Sequence, residues 1–345
     1  MSKRVVISLI SKQRGGLEES FVYFANLAQR LGYEVIAVTP RKAPYLKNLS
    51  PSIKRRPFHP RGYFDVLSFI KLFIELRLTP PSLLIGFNSR AVHYLTFAAQ
   101  FLNIRVIAFS GSDKLSRLKR ADAIVCNSLK MIENFASRGF LIDKLYFLPA
   151  IGIEIDTLSS IQTMSDSADS NSKIRVGFLG RMTSEKGVLT LIEACQNPIL
   201  RQRIQLIIAG EGPERRLAEE LTGSLGISAE FRGWVDNKTS FYEGIDLLVV
   251  PSLSETFGIV ILEAMAAGVP VISTPTQGPS MLITEGVSGW LTRDFTSTSI
   301  TEKLIGVIDN KKYWQTIRSG ALKSLQRYSN DTISAEFKRL LESHS

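Results

Sequence analysis

Two glutamates, Glu255 and Glu263, stand either side of a helix start in the run PSLSETFGIVILEAMAAGVP at 251–270, with seven residues between them. The preceding DLLVV at 246–250 reads as a buried strand, and 257–267 is rich in helix formers and stops at Gly268. The amides near Phe257, Gly258 and Ile259 then lack intrahelical acceptors, and the macrodipole adds roughly half a positive charge, which favours an anion there. Glu263 lies one turn after Ile259 on the same face, and its side chain leans toward the helix start. Phosphate alone needs no carboxylate, whereas vicinal hydroxyls donate to one. An anion seat flanked by two glutamates therefore points to a nucleotide sugar rather than to ATP alone. The plainer reading is a surface helix with solvated glutamates.

A second block strengthens the first. IRVGFL at 174–179 has a strand pattern, and Gly180, Arg181, Met182, Thr183, Ser184, Glu185, Lys186 and Gly187 separate it from a helical pattern starting at Val188. Arg181 offers a planar fork and Lys186 a mobile point charge, a combination suited to a diphosphate whose negative charge grows as a bond breaks. A third strand at 205–209 runs into Gly210, Glu211 and Gly212, and a fourth at 230–232 runs into Gly233, Trp234 and Val235. In an open parallel sheet such carboxyl ends form the ligand crevice.

Taken in order, the Gly-Arg…Lys-Gly turn, AGEGPE, FRGWV and SETFGIVILEAMAAGVPVIST resemble the retaining glycosyltransferases of family 4, closely over 174–291 and more loosely before. The looser matches are Gly15, Gly16, Leu17 and Glu18 after the first strand, and ADAIVCNS at 121–128. The resemblance implies the α/β GT-B fold, two doubly wound Rossmann-like domains facing across a cleft. It implies Arg181, Lys186 and Glu255 as the catalytic group, the two cations on the donor pyrophosphate. Glu263 would hold the ribose hydroxyls, while Glu255, Thr256 and the amides of Phe257, Gly258 and Ile259 meet the transferred sugar and distal phosphate. Gly180 and Gly210 would shape the donor loops, Trp234 and Val235 would take the base, and Gly15 and Gly16 would close on the phosphates from the other domain. The chain departs from the family where many relatives carry a histidine near the reacting carbon. It reads Ser110, Gly111, Ser112, Asp113 there, and Ser112 or Asp113 is expected to contact the sugar or acceptor. His93 falls in an apolar helical stretch and reads as a satisfied, partly buried side chain. Gln277 and Met281 replace a glycine and a glutamate common in relatives, which bears on sugar specificity.

A length of 345 residues and 44% hydrophobic content suffice for two cores. Strand and helix patterns alternate on both sides of a Ser-, Thr-, Asp- and Asn-rich stretch. The expected divisions are an acceptor-binding domain at 1–155, a linker or surface loop at 156–172 and a nucleotide-sugar-binding domain at 173–327. The resemblance places a final helix, about 328–345, back on the first domain. Cys126 and Cys195 sit far apart in apolar patterns and read as buried thiols of a reducing cytosol, neither a disulfide nor a metal pair. Lys3 and Arg4 precede an apolar run only as long as Val5–Ile10, too short for a secretion signal and right for a first strand. No segment has the apolar length to span a bilayer.

The formal charge of +10 is unevenly shared. Residues 1–150 hold 23 Lys and Arg against 9 Asp and Glu, net +14, and 151–345 hold 19 against 23, net −4. In GT-B enzymes the first domain receives the acceptor, so its excess argues for an anionic acceptor or an anionic membrane surface. Lys54, Arg55, Arg56 and Arg61 precede YFDVLSFIKLFIELRL at 63–78, where Phe64, Leu67, Ile70, Ile74 and Leu78 share one helical face, broadened by Phe69, Leu72 and Phe73. Such a segment lies in a headgroup layer or forms a core helix with basic flanks. No nucleic-acid reader motif is present, and nucleic acid is not an expected partner.

The expected activity is transfer of a sugar from a nucleotide diphosphate sugar, UDP before GDP, with retention of anomeric configuration. The expected acceptor is a lipopolysaccharide core or lipid-linked oligosaccharide, and the expected location cytoplasmic, peripheral on the inner face of the membrane. With no Asp-x-Asp pair in the chain, no metal and no cofactor are expected. A sugar-nucleotide epimerase of the same fold and a non-catalytic sugar-nucleotide-binding protein are the alternatives. A nicotinamide oxidoreductase is disfavoured because no strand precedes Gly-x-Gly-x-x-Gly.

Overall fold

The computed structural model describes residues 3–110, 117–154 and 173–345. The chain forms two compact units, Met1–Gly152 with Asn330–Ser345, and Ile153–Ser329. The expected linker at 156–172 and the candidates Ser112 and Asp113 lie outside the described residues.

In the first unit β1 (Arg4–Ser8), β2 (Glu34–Thr39), β3 (Lys54–Pro57), β4 (Leu83–Gly86), β5 (Val106–Ser110), β6 (Ala123–Cys126) and β7 (Leu145–Phe147) form one sheet in the order β3-β2-β1-β4-β5-β6-β7. All its pairings are parallel. Period-two alternation along β1 sends Val5 and Ile7 to one face, where they pack with Phe21 and Phe24 of helix Gly16–Arg30. Val6 goes to the other face, with Leu76 of helix Val66–Leu78 and Leu95 of helix Ser89–Leu102. Burial on both faces is why the inner strands β1, β4, β5 and β6 read as apolar runs. The last helix, Asn330–His344, returns to this unit and adds Ile333, Phe337 and Leu341 to the core around Phe24. The Phe337 ring lies 4.8 Å from that of Phe24, and the Tyr23 hydroxyl donates to Asn330 Oδ1 at 2.9 Å.

The second unit repeats the design with β8 (Ile174–Leu179), β9 (Ile204–Ala209), β10 (Ala229–Gly233), β11 (Leu247–Val250), β12 (Val271–Ser273) and β13 (Trp290–Leu291), in the order β10-β9-β8-β11-β12-β13. Again every pairing is parallel. Each sheet has its first strand in the middle, so strand order reverses beside β1 in one and beside β8 in the other. These are the two topological switch points.

Two local expectations shift. The helix after β11 runs Ile259–Ala266 rather than from 257, because Gly258 adopts a left-handed conformation at φ 96°. Phe257 is buried, its ring 6.2 Å from that of Tyr328. The apolar segment 63–78 is divided by its helix: Leu72 and Leu76 enter the core, whereas Phe64, Leu67, Ile70, Ile74 and Leu78 are exposed. His93 is half-buried, with Nε2 at 2.9 Å from the Tyr63 carbonyl oxygen. Burial lowers its pKa, with the nearby Arg117 and Arg120 acting the same way. Cys126 and Cys195 are both buried, and neither is in a disulfide. No helix among the described residues is long and apolar enough to cross a membrane.

Candidate functional site

The loops leaving the carboxyl ends of β8 to β12 are joined by backbone hydrogen bonds into one surface. Gly180 N–H donates to Ala209 O at 3.1 Å, Gly210 N–H to Gly233 O at 2.6 Å, and Met182 N–H to Glu211 O at 2.9 Å. On the other side of the switch point, Leu253 N–H donates to Glu185 O and Gly278 N–H to Glu255 O, both at 2.8 Å. Two glycines permit this closeness. A Cβ on Gly210, at φ 129°, would stand 1.8 Å from Gly180 O, and one on Gly187, at φ 69°, would stand 2.1 Å from Pro251 O.

Lys186 and Glu255, one from each side of the switch point, meet here. Lys186 Nζ donates to Glu255 Oε2 at 2.6 Å, and the side chains keep 30% and 16% of their exposure. That leaves the cation reachable by a ligand and the carboxylate largely screened from water. Glu255 Oε1 lies 3.5 Å from Phe257 N. The helix that follows has no side-chain cap; Ile261 N–H donates to Gly258 O at 2.9 Å, which leaves the amides of Ile259 and Val260 as the helix-start donors for an anion.

Glu263 is placed by two donors that lie outside the motifs read from the sequence. Lys238 Nζ donates to its Oε1 at 2.7 Å and the Tyr242 hydroxyl to its Oε2 at 2.9 Å. Each carboxylate oxygen thus accepts from a different donor, and the two bonds fix the orientation of Glu263. Both donors belong to helix Lys238–Glu243, capped by Asn237 Oδ1 accepting from Ser240 N–H at 3.2 Å. Their i, i+4 spacing was the available signal, since it puts a cation and a phenol on one helical face.

The other candidates fall as follows. Arg181 is exposed on the β8 loop, and its carbonyl accepts from Thr183 N–H at 2.9 Å. Thr256 is half-buried, and Ile259 opens the helix after β11. Trp234 is exposed, its Nε1 donating to Asp236 Oδ1 at 3.0 Å. Val235 lines a cavity of about 420 Å³ with Phe231, Arg232, Asn237 and Phe241. Gly15 and Gly16 belong to the first unit, where they open helix Gly16–Arg30 after β1. A larger cavity in the second unit, about 1010 Å³ and lined by residues such as Trp290 and Tyr313, contains none of the candidate donor residues. A surface with cations on the β8 loop, an uncapped helix start and two oriented carboxylates can neutralise a diphosphate while accepting from hydroxyls beside it.

Residues 173–310 match the family model described as glycosyl transferases group 1. Among solved structures, Anabaena HepE in complex with UDP and glucose superposes with a TM-score of 0.84 at 19% identity, covering 99% of this chain and 100% of that one. Fold and domain match together define a glycosyltransferase of the GT-B fold that carries a group 1 glycosyl transferase domain at 173–310. Within that class it is similar over nearly its whole length to the lipopolysaccharide core biosynthesis glycosyltransferase LpsE of Rhizobium meliloti (strain 1021), 25% identical over 343 residues, 95% of this chain and 96% of LpsE. A shorter stretch of 122 residues, 35% of this chain, is 40% identical to the GDP-mannose-dependent alpha-mannosyltransferase of Corynebacterium glutamicum, of which it covers 28%.

Proposed function

We propose that the protein moves a hexose from UDP-sugar to a lipopolysaccharide core or lipid-linked oligosaccharide, with retention at the anomeric carbon. The observation that carries this reading is the Lys186–Glu255 pair beside an uncapped helix start at the β8/β11 switch point. As the bond from the anomeric carbon to the diphosphate oxygen breaks, Lys186, Arg181 and the helix amides neutralise the departing charge. Glu255 borders the sugar, Glu263 accepts from the ribose hydroxyls, and the loop at Trp234 and Val235 takes the base. Retention means that the acceptor oxygen enters on the face the diphosphate leaves. The UDP-bound HepE complex favours UDP, and the mannosyltransferase likeness keeps GDP as the second choice. The basic first unit receives the anionic or lipid-linked acceptor, with the protein peripheral on the cytoplasmic face of the membrane. Neither metal nor cofactor takes part, so transfer should persist in EDTA.

A thermal-shift panel of UDP- and GDP-sugars tests donor choice, because only a ligand of the folded state raises the melting temperature. One missing leaving-group donor costs roughly 2.7–4 kcal/mol in the transition state. Lys186→Ala should therefore lower turnover about a hundredfold or more while the protein stays folded. Near-normal turnover in that variant removes Lys186 from the mechanism, and product NMR showing an inverted anomeric centre removes retention.

A further inference from the structure

We propose that the outward row of helix Val66–Leu78, together with the aromatic edge of helix Ser89–Leu102, docks on an anionic lipid bilayer. This deepens the reading of a membrane-held acceptor and rests on it, naming the surface and its charge. Phe64, Leu67, Ile70, Ile74 and Leu78 are 45–86% exposed. The opposite side of the same helix is fixed in the core by Leu72 and Leu76, at 3% and 2% exposure, so the helix cannot turn to hide the outer row. Phe69 lies 4.8 Å from Phe97, and Phe73 lies 6.0 Å from Phe101. These contacts extend the patch onto the second helix, where Phe101 is 62% exposed. A contiguous apolar surface of this kind marks an interaction site rather than a chance exposed leucine.

The charges around it select the occupant. Lys71 and Arg77 flank the outer row on the same helix, and Arg55 and Arg61 are exposed on the preceding segment. Among the described residues none of these four is in an ion pair, whereas nearby Lys54 and Arg56 pair with Glu34 and Glu75. At the N-terminal end of the row, Tyr63 has the guanidinium groups of Arg90 and Arg117 over its ring. A second copy of this chain would bring two basic rims together across a symmetric interface. A bilayer with anionic headgroups satisfies the apolar row and the cations at once.

Sedimentation of the full chain with lipid vesicles tests this, using pure phosphatidylcholine against a mixture with phosphatidylglycerol. The protein should pellet with the anionic vesicles and be released by raised salt. Leu67→Glu/Ile74→Glu changes only exposed positions. It should cut vesicle binding roughly tenfold or more while leaving the melting temperature and the UDP-sugar thermal shift unchanged. Wild-type protein that pellets with neither vesicle, a double variant that pellets like wild type, or equal binding to neutral vesicles each overturns the proposal. So does a salt-insensitive dimer that the same double variant dissolves, since a second copy would then own the face. Because donor binding is read separately, a wild type with no UDP-sugar shift sinks the donor reading and leaves the vesicle result standing.

Discussion

Lys186 and Glu255 were assigned separate jobs by sequence, the cation on diphosphate and the carboxylate near the sugar, yet they form one ion pair across the switch point. Under the proposed function, donor binding draws Lys186 partly from its carboxylate to phosphate, and charge neutralisation by the ligand offsets that loss. Removing one partner leaves a largely screened charge alone, whereas removing both does not. We expect Lys186→Ala to lower stability by about 1–2 kcal/mol in urea melts and Lys186→Ala/Glu255→Gln to recover much of that, while turnover stays lost in both. A double variant as unstable as the sum of its single changes would show that the two residues act independently. Cys195 gives a residue-scale pH test, because burial pushes its thiol up to about 12 from an ordinary 9.0. The folded thiol stays neutral where the unfolded one ionises. Its contribution is complete below pH 9 and is lost as pH rises toward 12, by at most about 1.4 kcal/mol per pH unit. The stability gap between wild type and Cys195→Ala should narrow above pH 9; a gap that stays constant to pH 11 contradicts this.

At the scale of elements, the site depends on how closely two loops approach. Gly187 ends the β8 loop in a left-handed conformation against the carbonyl of Pro251, at the start of the loop that carries Glu255. An alanine there meets both backbone strain and a clash, so Gly187→Ala should destabilise by roughly 2 kcal/mol or more and abolish the nucleotide-sugar thermal shift. Unchanged donor affinity in that variant would mean the loops close without this contact. The short helix Lys238–Glu243 illustrates the converse. Its residues carried no motif, and it became part of the site only because its two donors reach Glu263 on a different helix.

At the scale of the molecule, the chain does not divide once. The last helix belongs with residues 1–152, and Phe337 is wholly buried there against Phe24 and Phe109. Phe337→Ala should cost about 3–5 kcal/mol, the usual penalty for an aromatic core cavity. The resulting loss should appear in a denaturant transition of the first unit, with the UDP-sugar shift of the second unit retained. Loss of donor binding with no change in the first transition would show that the helix serves the other unit.

The strands, their parallel class and the strand-loop-helix frame around Glu255 were legible because they depend on local quantities: apolar runs, glycine positions and helix stops. The family resemblance added roles for Arg181, Lys186 and Glu263 on the same residues. Periodicity could group Phe64, Leu67, Ile70, Ile74 and Leu78 on one helical face, but could not say whether that face looks inward. The tertiary structure decided that by filling the core with Leu72 and Leu76 instead. It also decided the pairing of Lys186 with Glu255 and of Lys238 and Tyr242 with Glu263. These contacts join residues 69, 25 and 21 positions apart. Such distances are set by strand order in the sheet, which no local pattern of side chains encodes.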